Sequence, residues 1–146
     1  MTGSVLFGGA AGLADAPALD DGTRRRTRAE LADRVVRTAR HLREVAGVPV
    51  DGHVATLTGN RAEAVELVLA ATLAGIWLTA VNRHLTAEEV AFVLADSGAS
   101  VVVCDPEHEA VVRDALARGD AGTPPAGSTP TGAAPRVEVL GPDWEA

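Results

Sequence analysis

The sequence predicts an α/β fold in which a mainly parallel sheet is flanked by helices, on three observations. Short apolar runs alternate with segments of helical length, joined by short loops. Three of the helical segments open on Thr or Asn with Glu three residues later. The runs 76–81 and 101–104 are apolar at almost every position, as in parallel strands covered on both faces.

The elements follow in order. Residues 1–16 read as a flexible arm. Pro17-Ala18-Leu19 before Asp20-Asp21-Gly22 predicts a short strand turning over at Gly22. Arg24, Arg25 and Arg26 form a basic run that reads as a solvated strand or turn face. Thr27 and Glu30 make a capping box, and Leu31, Val35, Ala39 and Leu42 lay one apolar stripe along the helix behind it. Gly47 and Pro49 end that helix. Asp51-Gly52 is a tight turn and 53–58 a strand. Asn60, with Glu63 three residues on, caps a helix that is apolar nearly all round from Ala62 to Ala74 and so requires cover on several sides.

Gly75 supplies the left-handed residue that stops this helix. The strand 76–81 and the loop 82–84 lead to a third capping box, Thr86 with Glu89. The helix 87–96 buries Val90, Val93 and Leu94 and stops at Gly98. After the strand 101–104, Asp105 caps the next helix, Pro106 takes its first position and Glu107 complements its dipole. That helix carries Val111, Val112, Ala115 and Leu116. Residues 119–135 are Gly, Pro, Ala, Ser and Thr with almost nothing bulky and apolar, so they cannot offset their own ordering entropy. The expected organisation is an arm at 1–16, an α/β subdomain at 17–118, a disordered or variable loop at 119–135, and the start of a further strand segment at 136–146. Trp144, near that end, is expected to pack against something.

Composition narrows the function classes. Aromatics are 3% of residues against 47% hydrophobic overall, so the core must be built from Ala, Val and Leu. A net charge of −7 argues against nucleic acid or an anionic membrane as partner. The uncharged stretch 67–81 falls short of the roughly 20 residues that span a bilayer, so no membrane-spanning segment is expected. The N-terminus lacks the positive region of a signal peptide. Cys104, the one cysteine, rules out an intramolecular disulfide framework. At the end of an apolar run it reads as a buried, inert thiol, in keeping with a reducing cytoplasm.

All 13 basic residues are Arg. Without Lys there is no Walker-type phosphate loop, and the glycines Gly8, Gly9 and Gly12 follow no strand. His41, His53, His84 and His108 lie in separate elements without ligand spacing, and His41 and His108 are expected at the surface, so no metal site is predicted. No catalytic residue is assigned. Ligands of open α/β sheets bind beyond the carboxyl ends of strands. Two loops stand there. Asn82, Arg83 and His84 are candidate cofactor-binding residues, with the alternative that Asn82 orders the turn and the other two are solvated. The loop from Asp105 to His108 carries acids that would repel a phosphate.

Thr27-Arg28-Ala29-Glu30-Leu31, Gly59-Asn60-Arg61-Ala62-Glu63, Leu73-Ala74-Gly75 through Asn82, Leu85-Thr86-Ala87-Glu88-Glu89 and Asp96-Ser97-Gly98-Ala99 together resemble, in order and spacing, the early motifs of adenylate-forming (AMP-binding) enzymes. Arg28 and Ala80 stand where the family usually has Tyr and Pro. The wording of 79–86 is most similar to fatty acyl-CoA synthetases, the fatty acid–CoA ligases. The resemblance, from about Pro17 to Asp105, implies an incomplete N-terminal portion of the adenylate-forming fold. It further implies ATP-dependent activation of a fatty or other carboxylic acid to an acyl-adenylate, then thioester formation with coenzyme A, with Mg²⁺. The family's phosphate loop, later acidic and aromatic motifs and C-terminal Lys are not in this sequence. The expectation is therefore an N-terminal fragment, inactive alone and holding no cofactor by itself, with an open sheet edge through which it could self-associate. Two alternatives stay open: a stand-alone, non-catalytic interaction module, and a small Rossmann-like nucleotide-binding protein.

Overall fold

The computed structural model describes residues 13–119 and 134–141. Strands β1 (Pro17–Asp20) and β2 (Arg25–Thr27) form an antiparallel hairpin. Its turn is set by Gly22 at φ 87° and by the Asp20 and Asp21 carboxylates, which accept the N–H groups of Gly22, Thr23 and Arg24. Helix α1 (Arg28–Arg40) starts at the predicted Thr27–Glu30 capping box, both halves of which form. Leu31, Val35, Ala39 and Leu42 are all buried. The last turn, His41–Val45, widens to π-helical geometry before Gly47 turns the chain at φ 73°.

The four remaining strands make one parallel sheet: β3 (His53–Leu57), β4 (Trp77–Ala80), β5 (Val101–Cys104) and β6 (Arg136–Val139), in the order β4-β3-β5-β6. Helix α2 (Ala62–Ala74) joins β3 to β4, and Gly75 at φ 67° closes it as predicted. Helix α3 (Ala87–Ser97) joins β4 to β5, and α4 (Glu109–Gly119) follows β5 through a 3₁₀ turn at Pro106–His108. The period-two alternation of strands sorts the core into two layers. Val54, Val101 and Val103 face Leu67 and Ala71 of α2 together with Leu42 and Val48. Ala55, Leu57, Val102 and Cys104 face Val90 and Leu94 of α3 and Val112 and Ala115 of α4. Helix α1 lies outside α2 and packs Leu31, Val35 and Ala39 against Ala70. No helix among the described residues is long and apolar enough to cross a membrane.

Several expectations are corrected. β4 is an edge strand among the described residues, and Trp77 is 62% exposed, stacked on His53 at a centroid distance of 6.4 Å. An uncharged strand sequence cannot tell a central position from an edge, and only β5 has the full cover predicted for both. Val93 is half-buried rather than core. His41 and His108 are not surface residues: their side chains keep 10% and 12% of their exposure. His41 lies 2.8 Å from the Glu138 carboxylate of β6, a pairing 97 residues apart that no local pattern reveals. Arg24 and Arg26 are not merely solvated, because each pairs with a buried glutamate of α2. Gly119, assigned to the loop, ends α4. The arm residues 1–12 with their glycines, most of the 119–135 loop and Trp144 lie outside the described residues.

Candidate functional site

Beyond the carboxyl ends of β3 and β5 an open cleft of about 550 Å³ lies between the hairpin turn, the β3–α2 loop and the residues after β5. Its charged lining is Asp21 and Arg24 from the turn, Arg61 and Glu63 from the start of α2, Arg83 after β4, and Asp105 and Glu107 after β5. The sheet brings these loops together because parallel strands send every carboxyl end the same way.

The site is built from carboxylates outward. Asp105 is 4% exposed. Its Oδ2 accepts the Gly59 N–H at 2.7 Å and its Oδ1 accepts Arg61 Nη1 at 2.6 Å. Arg61 Nε in turn donates to Glu63 Oε2 at 2.9 Å, and Glu63 also pairs with Arg24. Glu63 is 1% exposed, and a carboxylate so buried requires such partners. The result is an alternating chain, Arg24–Glu63–Arg61–Asp105, that neutralises itself.

Asp21 plays a part that was expected of Asn60. The residue preceding α2 is Arg61, which caps nothing with its side chain, and Asp21 Oδ2 accepts the Ala62 N–H at 2.8 Å across 41 residues of sequence. Its Oδ1 accepts the Thr23 hydroxyl at 2.8 Å and the N–H groups of Thr23 and Arg24 at 2.9 and 2.7 Å. The Thr23 hydroxyl first, then these backbone donors and Ala62, hold the Asp21 carboxyl well below the usual carboxylate range. The helix end that would attract an anion is thus already capped from within. Asp105 likewise spends its carboxylate on Gly59 and Arg61 rather than capping the turn behind it.

Of the candidates Asn82, Arg83 and His84, only Arg83 lines the cleft. Asn82 Oδ1 accepts the His84 N–H at 3.0 Å and orders the turn, and all three residues are exposed. Asp21, Arg61 and Glu63 were missed as a set. The available signal was two glutamates, Glu63 and Glu66, on a helix otherwise apolar nearly all round, which must find arginines when buried. Cys104 offers no nucleophile: burial first, then Glu109 and Asp105, push its thiol up to about 11.

The model of the AMP-binding enzyme family matches residues 7–135. A feruloyl-CoA synthase of an Amycolatopsis species is 43% identical over 101 residues, which are 69% of this chain and 20% of that protein. A 2-succinylbenzoate–CoA ligase of Geobacillus kaustophilus is 38% identical over 90 residues, 62% of this chain and 18% of the ligase. A solved fatty acyl-CoA synthetase of Mycobacterium tuberculosis matches with a TM-score of 0.65 at 28% identity, covering 80% of this chain and 21% of that one. The chain spans about a fifth of the length of the curated relatives it matches. With its parallel sheet, its capped helices and these similarities, the chain belongs to the AMP-binding enzyme family.

Proposed function

We propose that these residues are the N-terminal α/β portion of a cytoplasmic, ATP-dependent acyl-CoA synthetase, and that alone they scaffold the reaction rather than perform it. The parent activity is activation of a fatty or other carboxylic acid to an acyl-adenylate, followed by thioester formation with coenzyme A. One observation carries the scaffolding reading: Asp21 occupies the N-terminus of α2, where a phosphate would otherwise be welcomed. The rest of the cleft agrees. Four carboxylates, Asp21, Glu63, Asp105 and Glu107, face three guanidiniums, and Arg24 and Arg61 are already paired. Adenylyl transfer needs cations and backbone donors aimed at developing charge. The cleft does not fit ATP, and no catalytic step is assigned to it.

Two experiments test the two halves of this reading. Calorimetry of the isolated chain with ATP and Mg²⁺, and pyrophosphate release with fatty acid and coenzyme A, should both give nothing above the blank. Grafting this chain in place of the matching residues of the Amycolatopsis feruloyl-CoA synthase should yield a chimera that still forms its thioester. Micromolar ATP binding by the isolated chain would overturn the scaffolding reading. A folded chimera that forms no thioester would remove the synthetase reading.

A further inference from the structure

We propose that Asp105, Glu107 and His108 hold a divalent transition-metal ion at the edge of the cleft. One donor atom from each residue lies within 4.8 Å of the others. The 3₁₀ turn Pro106–His108 brings this about, since its tight winding sets His108 above Asp105, with the His108 N–H donating to the Asp105 carbonyl at 3.0 Å.

The independent observation is the state of the His108 ring. Its Nδ1 is buried and has no hydrogen-bond partner among the described residues. It points between two carboxylates, 3.7 Å from Asp105 Oδ2 and 3.8 Å from Glu107 Oε1, too far for a hydrogen bond to either. A buried ring nitrogen without a hydrogen-bond partner is costly. A cation held between the ring and the two carboxylates removes that cost. Metal–donor bonds of about 2.1 Å put two donors at most ~4.2 Å apart across one ion, so 3.7 and 3.8 Å are spans that an ion bridges. The remaining spread is closed by Glu107, whose side chain is 71% exposed and free to turn inward.

Asp105 is held for this task. Each carboxylate oxygen has two lone pairs, so Oδ2 can accept the Gly59 N–H and still bind an ion. Arg61 on Oδ1 orients the carboxylate as an outer partner does, while its charge lowers the affinity. One imidazole with two carboxylates suits Zn²⁺ or Co²⁺ better than Mg²⁺, and three protein donors leave a position open toward the cleft.

The test is titration of tag-free protein with Co²⁺, followed by its visible absorption, and with Zn²⁺ by calorimetry. Equimolar, micromolar binding is expected, with no competition from equal Mg²⁺. Glu107→Gln and His108→Gln should each weaken it by at least about tenfold. His84→Gln should leave it unchanged. Zinc should move the ¹⁵N resonances of the His108 ring and of no other histidine. Binding that survives both Glu107→Gln and His108→Gln, or the absence of a Co²⁺ spectrum at equimolar metal, would overturn the assignment. So would an NMR spectrum in which His108 is an imidazolium that zinc does not displace. Glu107 is exposed, so its variant tests the site even if His108→Gln fails to fold.

Discussion

Glu66 is the residue whose neutralisation should cost the fold most for the smallest change of shape. It sits on α2 at 1% exposure, and its Oε1 accepts Arg34 Nε at 2.7 Å and Arg26 Nε at 3.4 Å. Glu66→Gln keeps the volume and one acceptor and removes the charge. The two arginines keep 12% and 20% of their side-chain exposure, so neither can leave for water without moving the hairpin or α1. Removing one partner of a buried pair costs about 3–5 kcal/mol. Partial hydration of both guanidiniums sets the expectation at the low end, about 3 kcal/mol. Against a domain stability of roughly 5–15 kcal/mol that is a large share. With a urea dependence of about 2 kcal/mol per molar, the unfolding midpoint should fall by ~1.5 M. Urea unfolding by far-ultraviolet circular dichroism measures it. A loss below about 0.5 kcal/mol, the range of ordinary surface substitutions, would refute the reasoning.

Two further outcomes follow from the shifted groups. Asp21 titrates lower in the folded chain than in the unfolded one, so its contribution is complete above the ordinary carboxylate range and drains away as the pH falls through its folded value. Thermal melts of Asp21→Asn and the parent should therefore differ most at neutral pH and draw steadily together as the pH falls below the ordinary carboxylate range, where the unfolded carboxyl is protonated; a constant difference would refute the sign. Cys104, with its thiol pushed up to about 11, should be thiolate in roughly one molecule in ten thousand at neutral pH. Alkylation should then follow the unfolding rate, and rapid labelling of the native chain would contradict its burial.

What was legible in the sequence is what neighbouring residues settle between themselves. The capping boxes at Thr27 and Thr86 join residues three apart, and Gly75 and Gly98 stop helices by their own backbone freedom, at φ 67° and 64°. Helix α2 has the bounds that its apolar run suggests. What was not legible depends on which strand lies beside which. Asn60 looks like a cap by every local rule, yet Asp21 arrives from the hairpin and takes the position. The apolar runs of β4 and β5 read alike, and strand order alone makes one an edge and the other the centre. Arg83 was placed at the cleft because it follows a strand, a rule of the fold class. Asp105, read as a helix cap, is instead the point where loop, arginine and histidine converge.

The long-range capping of α2 has a consequence for synthesis. A ribosome makes the chain from its amino end, so the hairpin and α1 emerge before α2. Asp21 leaves the tunnel 41 residues ahead of the Ala62 N–H that it caps, and Arg26 leaves 40 residues ahead of Glu66. Arg24 and Arg34 likewise precede the glutamates with which they pair. When the helix appears, the counter-charges for its buried carboxylates are already outside and waiting. A circular permutant that moves residues 17–27 to the carboxyl end would have the same native contacts and the opposite order of arrival. It would leave each buried carboxylate short of one arginine, Glu63 without Arg24 and Glu66 without Arg26, for as long as its own completion takes.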